Sequence, residues 1–123
     1  MKQHTSRFLN LVASSKSRIK ELSPALLKEK IDRKEHFVLI DVRETQEWIE
    51  GHIPSAIHIS KGVIERDIEK NIPDAETPII VYCSGGFRCA LVADSLQSMG
   101  YTHVASLETG SKGWQDAGYP LII

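Results

Sequence analysis

The sequence predicts a parallel α/β domain, and three observations carry that prediction. Apolar runs of strand length alternate with stretches of helical spacing along the chain. Two of the runs, Phe37-Val38-Leu39-Ile40 and Ile79-Ile80-Val81-Tyr82, are continuous rather than alternating, as in strands buried on both faces. The 123 residues fit one domain and leave little room for a second.

The elements follow in order. Phe8, Leu11, Val12, Ser15, Ile19 and Leu22 fall at helical spacing, so residues 1–22 read as a basic amphipathic helical extension packing on residues 23–123. Ser23-Pro24 is an N-cap followed by proline at the first helical position, opening a helix through about Ile31. The run 37–40 is the first buried strand. Glu44 to Glu50 is a short helix ending at Gly51, Ala56 to Ile59 a short strand, and Val63 to Ile68 a helix. Pro73 to Pro78 is a turn-rich connector into the β-branched strand 79–82. Ala90, Ala93, Leu96 and Met99 mark the buried stripe of a helix stopped by Gly100. Val104 to Leu107 is a strand, and Lys112 to Ala117 a last short helix.

Composition narrows the function classes. The chain is 41% hydrophobic and 25% charged, ordinary for a globular protein, and no apolar run approaches the ~18 residues of a membrane span. The net charge of −1 hides an asymmetry. The first 20 residues hold Lys2, Arg7, Lys16, Arg18 and Lys20 and no acid, while the remainder holds all 16 acids. An acid-free, serine-containing head also has the composition of an organelle transit peptide or a membrane-surface helix, the competing reading of this segment. Phe8 to Ala13 is too short and broken for a secretory signal. The two cysteines, 83 and 89, make neither a disulfide framework nor a zinc site, and point to a reducing compartment and a reactive thiol. No nucleotide-binding, nucleic-acid-binding or metal-binding motif is present, so no cofactor and no metal are expected.

The chemistry concentrates in Val81-Tyr82-Cys83-Ser84-Gly85-Gly86-Phe87-Arg88-Cys89. An apolar strand runs into Cys83, a tight loop follows, and a helix begins near Arg88. Ligands of open α/β sheets bind at the carboxyl ends of the strands, where this cysteine falls. Gly85 and Gly86 let the loop curl with its N–H groups inward. Those donors, the following helix and Arg88 all favour a thiolate, the nucleophilic form. The bland alternative is a small apolar filler at a strand end. Four residues, Ser84, Gly85, Gly86 and Phe87, separate Cys83 from Arg88. Cysteine-dependent phosphatases cradle their oxyanion in a loop one residue longer, so phosphoryl or arsenate chemistry is disfavoured.

This smaller ring resembles the active-site loop of the rhodanese family, and other segments agree. Asp41-Val42-Arg43-Glu44, Glu47-Trp48 and Gly51-His52-Ile53-Pro54-Ser55-Ala56-Ile57 are similar to its first signature. Leu107-Glu108-Thr109-Gly110 with Gly113-Trp114 and Gly118-Tyr119-Pro120 is similar to its last. The resemblance covers residues 23–123 and implies a five-stranded parallel sheet flanked by helices on both faces, with the N-terminal helix added. It implies transfer of sulfane sulfur from thiosulfate, mercaptopyruvate or a protein persulfide to cyanide or a thiol. Cys83 would carry the sulfur as a persulfide, with Arg88 beside it and Ser84, Gly85, Gly86 and Phe87 as the cradle. The partners expected are small-molecule donors and acceptors or a partner protein's thiol or persulfide, for a cytoplasmic monomer or weak dimer. A sulfur-relay module with little small-molecule turnover is the alternative.

Two departures stand out: Thr109 replaces the first glycine of a usual pair, and positions 84–87 lack the cations that thiosulfate specialists often carry. Arg43 is a candidate for the anion site, with pairing to Asp41 as the competing and favoured role. His52 reads as a loop-stabilising hydrogen-bonder, His58 as an ordinary strand residue, and Trp48 and Trp114 as core or pocket-rim aromatics. Phe87 is expected exposed at the loop crest. Cys89 is either a buried helix cysteine or a partner that resolves an oxidised or persulfidated Cys83.

Overall fold

The computed structural model describes residues 3–123, so Lys2 of the basic head lies outside the described residues. Eleven elements alternate along the chain: α1 (Ser6–Lys16), β1 (Lys20–Leu22), α2 (Pro24–Asp32), β2 (Val38–Asp41), α3 (Thr45–Glu50), β3 (Ile57–His58), α4 (Ile64–Asn71), β4 (Ile79–Tyr82), α5 (Arg88–Ser98), β5 (Val104–Leu107) and α6 (Gly110–Asp116). The five strands form one parallel sheet in the order β1-β5-β4-β2-β3.

Burial on both faces explains the continuous apolar runs. Along β4, Ile79 and Val81 enter one core with Ile64 and Ile68 of α4 and Val92, Ala93 and Leu96 of α5. Ile80 and Tyr82 enter the other, with Leu27 of α2 and Trp114 of α6. Every residue of β4 is buried, so no polar alternation could appear in its sequence. Ser23 caps α2 by accepting the Leu26 N–H at 3.2 Å, with Pro24 first in the helix.

The N-terminal segment differs from its reading as one helix to Leu22. The helix ends at Lys16, and Lys20–Leu22 turns into the sheet as an edge strand on β5. Leu11, placed on the buried stripe, is 56% exposed. Val12 and Ser15 are buried, where α1 packs on α5. Ser15 Oγ and the Arg18 guanidinium both donate to the Asp94 carboxylate, at 3.0 and 2.6 Å, and Gln97 donates to the Arg18 carbonyl. Part of the basic head thus meets the acidic body within the same chain.

A buried polar network fixes the sheet end that carries the loop after β4. Arg43 donates to both oxygens of Asp41 and to the Gly51 carbonyl, while the Tyr82 hydroxyl donates to Asp41 at 2.7 Å. That hydroxyl in turn accepts the Ile53 N–H at 3.0 Å. Burial first, then the Asp41 charge, pushes the Tyr82 hydroxyl far above its usual range, so it stays a donor. Tyr82→Phe strands the Ile53 amide and removes one donor from an Asp41 carboxylate that keeps Arg43. We expect a loss of about 1–3 kcal/mol in urea denaturation. Unchanged stability would mean that the hydroxyl is dispensable.

Candidate active site

Cys83 leaves the end of β4 fully buried, on the floor of an open cavity of about 1210 Å³. The loop is turned so that its amides face the sulfur: the Gly86 N–H lies 3.2 Å and the Cys89 N–H 3.4 Å from Cys83 Sγ. The carbonyls are held the other way. At the start of α6, the Ser111 N–H binds the Cys83 carbonyl at 2.8 Å and the Lys112 N–H binds the Ser84 carbonyl at 3.0 Å. Two glycines allow this packing. Gly110, at φ +65°, sits against the Cys83 and Ser84 backbone, and Gly86, at φ +93°, against the Glu108 carbonyl; a Cβ at either would overlap those atoms. Thr109 has an ordinary φ of −111°, so the residue in place of the usual glycine needs no special conformation. Its side chain rests where Gly113 leaves room.

Those donors set the charge of the sulfur. Cys89 Sγ lies 3.5 Å away, and toward an ionised Cys83 the Cys89 thiol is the donor of that contact. That thiol, with the backbone N–H groups of Cys89, Gly86 and Gly85, outweighs burial and lowers the Cys83 pKa to about 5. Burial and the adjacent Cys83 push the Cys89 thiol well up, so it keeps the proton. Alkylation of Cys83 by iodoacetamide, followed by peptide mapping, should therefore stay constant down to mildly acid pH. It should fall only as the pH drops through about 5. A midpoint near the ordinary thiol value of about 8.5 would contradict this account.

Arg88 opens α5, with its guanidinium at the cavity edge. It forms a two-point bond to Glu47 of α3, at 2.8 and 3.0 Å, and a third bond to Ser84 Oγ at 3.0 Å. The guanidinium holds the Glu47 carboxyl below its usual range. Glu47 also accepts the Glu44 N–H, so α3's own cap aims the carboxylate at the loop. The loop's arginine is thereby neutralised and serves as a strut between α3 and the cradle.

A family model for the rhodanese-like domain matches residues 23–117 of this chain. The chain belongs to the rhodanese family. "Putative sulfurtransferase YtwF" of Bacillus subtilis is 41% identical over 102 residues, covering 83% of this chain and 96% of that protein. "Thiosulfate sulfurtransferase GlpE" of Coxiella burnetii is 35% identical over 83 residues, 68% of this chain and 76% of that one. Among solved structures, the polysulfide-sulfur transferase homodimer of Wolinella succinogenes superposes with a TM-score of 0.79 at 28% identity. The match covers 95% of this chain and 88% of that one. The five-stranded parallel α/β architecture is thus the rhodanese fold, in a family of sulfurtransferases.

Within this rhodanese domain, Ser84, Gly85, Phe87 and Arg88 line the cavity with Cys83, while Gly86 lies behind it and contributes its N–H. Arg43 is elsewhere: it is 6% exposed, bonded to Asp41 and Gly51, and absent from the cavity wall. Its place is the structural one, because its donors were consumed by a carboxylate two residues away. Phe87 is half-buried rather than free at the crest. The His4 ring lies 4.5 Å and the Phe8 ring 6.3 Å from it, with Lys16 Nζ 5.5 Å from its centroid. His52 and His58 stack on Trp48, and Trp114 is buried, so none of these four lines the cavity. Sequence reasoning missed Glu47 as the partner of Arg88, and His4, Phe8 and Lys112 as cavity wall. The helical spacing of Phe8 was the available signal for its packing, but not for what it packs on.

Proposed function

We propose that this chain is a sulfurtransferase that works through a persulfide on Cys83, with Arg88 bracing the loop that holds it. The observation that supports this best is the lowered thiol among inward amides, 3.2 and 3.4 Å from the sulfur. The thiolate attacks the outer sulfur of a donor R–S–S⁻ or of thiosulfate. The donor's S–S bond breaks, and the leaving group, sulfite in the second case, departs with the electron pair. Cyanide or a thiolate then attacks the terminal sulfur, and Cys83 leaves as the thiolate that the amides stabilise. No metal or cofactor enters either step, and a reduced cytoplasmic setting suits two free thiols.

Charge at the floor bears on the donor. Arg88 is neutralised by Glu47, residues 84–87 bring no cation, and Lys112 on the wall is accompanied there by Glu44 and Asp116. A dianion such as thiosulfate gains little there, so a low-molecular-weight or protein persulfide is the donor we favour. The relay reading, in which the acceptor is a partner's thiol, is supported by the cavity's size, far beyond a small inorganic anion. The test is intact mass after incubation of the reduced protein with thiosulfate, and separately with a desulfurase-generated persulfide. One added sulfur that cyanide removes as thiocyanate is the expected result. No uptake from either donor would end the proposal.

A further inference from the structure

We infer that Cys89 is a second reacting cysteine, which discharges a loaded Cys83 as sulfide when no acceptor arrives. The inference rests on the persulfide reading of Cys83. It starts from the two sulfur atoms, 3.5 Å apart, both in residues with no solvent exposure. One comes from the end of β4 and the other from the first turn of α5, so a single loop holds both. Cys83 lines the cavity and Cys89 does not. Cys89 Sγ faces the sheet instead, accepting the buried Ser106 hydroxyl at 2.9 Å and lying 3.8 Å from the Leu107 carbonyl. A sulfur delivered through the cavity and the Cys89 sulfur therefore meet Cys83 Sγ from different sides, as displacement at sulfur requires.

The step balances within the chain. Cys89 Sγ attacks Cys83 Sγ, the inner sulfur of the persulfide, and forms the Cys83–Cys89 bond. The bond from Cys83 Sγ to the terminal sulfur breaks, and that sulfur takes the electron pair. The Cys89 proton passes to the terminal sulfur of the persulfide anion, which leaves Cys89 as the attacking thiolate and lets the terminal sulfur depart as HS⁻. Sulfane sulfur is reduced to sulfide, and two cysteines are oxidised to a disulfide. Because the Cys89 thiol is held protonated, the proton that the leaving group needs is already in place. The product cannot load again until an external dithiol reduces it. A bland role for Cys89, as a hydrogen-bond donor that keeps Cys83 ionised, accounts for the same contact but predicts no discharge.

The experiment loads the reduced protein with thiosulfate or desulfurase-generated persulfide, removes the donor, and follows intact mass and released sulfide without acceptor. The expected course for wild type is one added sulfur, then loss of that sulfur as sulfide. The chain left is two hydrogens lighter than the reduced one, reversed by dithiothreitol. Cys89→Ser, which keeps a hydroxyl donor toward Cys83, should hold its sulfur at least roughly tenfold longer and never show the lighter mass. Cys89→Ala should hold it likewise, and a thermal melt of both variants checks the fold. Equal persulfide lifetimes in wild type and Cys89→Ser, with no disulfide, would overturn the inference and leave the persulfide reading standing. Failure of every form to load would overturn both.

Discussion

Cys83→Ser should abolish sulfur transfer, with thiocyanate formation falling by roughly ten-thousand-fold or more, as when a covalent nucleophile is removed. The argument is electronic rather than steric. Serine has nearly the shape of cysteine, so the bonds from Ser111 to the residue 83 carbonyl and from Lys112 to the Ser84 carbonyl stay. The amides of Gly86 and Cys89 still point at position 83. The Cys89 thiol and these amides together lower a thiol to about 5, but a hydroxyl starts too high for the same donors to ionise it at neutral pH. The variant should melt with wild type and gain no sulfur by mass. Residual turnover within tenfold of wild type would move the chemistry to another residue.

Gly86→Ala should be the most damaging single-methyl change in the cradle. At φ +93° an alanine is strained by about 1–3 kcal/mol, and its Cβ would overlap the Glu108 carbonyl, which is backbone and cannot swing aside. Relief requires the loop to move off β5, which withdraws the Gly86 N–H from Cys83. We expect a melting point lower by several degrees, at about 2–8 °C per kcal/mol. Transfer should drop by roughly a hundredfold or more, the scale for losing an oriented donor. Gly85→Ala is the internal contrast, because a Cβ there meets only the Phe87 ring at 3.5 Å. It should be close to wild type, and equal behaviour of the two alanines would sink this account of the loop.

These two glycines also show where the sequence was readable. A glycine pair after a strand-ending cysteine signalled a curled loop, and that inference needed only local geometry. Which glycine is irreplaceable depends on Glu108, 22 residues later and on another connection, and no local pattern carries it. Strand β4 was legible to the residue because four buried apolar positions in a row fit little else. Strand β1 was not. Lys20 and Glu21 are exposed, the strand has three residues, and Ile19 and Leu22 keep a spacing that also suits a helix. The Arg88–Glu47 bond spans 41 residues and joins two helix starts, so sequence could supply the two charges but not their meeting. Arg43 left two readings open, the anion site and the favoured pairing with Asp41, and its donors lie on Asp41, two residues away, and on the Gly51 carbonyl.

The sheet's outline has a consequence for handling the protein. Its two edge strands, β1 and β3, are three and two residues long, and β1 turns the side chains of Lys20 and Glu21 to solvent. An exposed strand edge is a template for further strands, and its reach scales with the unpaired backbone it offers. Here the long, apolar β4 and β2 lie inside, flanked on both sides, and each rim ends after a few amides. Concentrated preparations should therefore resist fibril growth and strand-exchange aggregation, even though the interior strands are as apolar as those of cross-β segments.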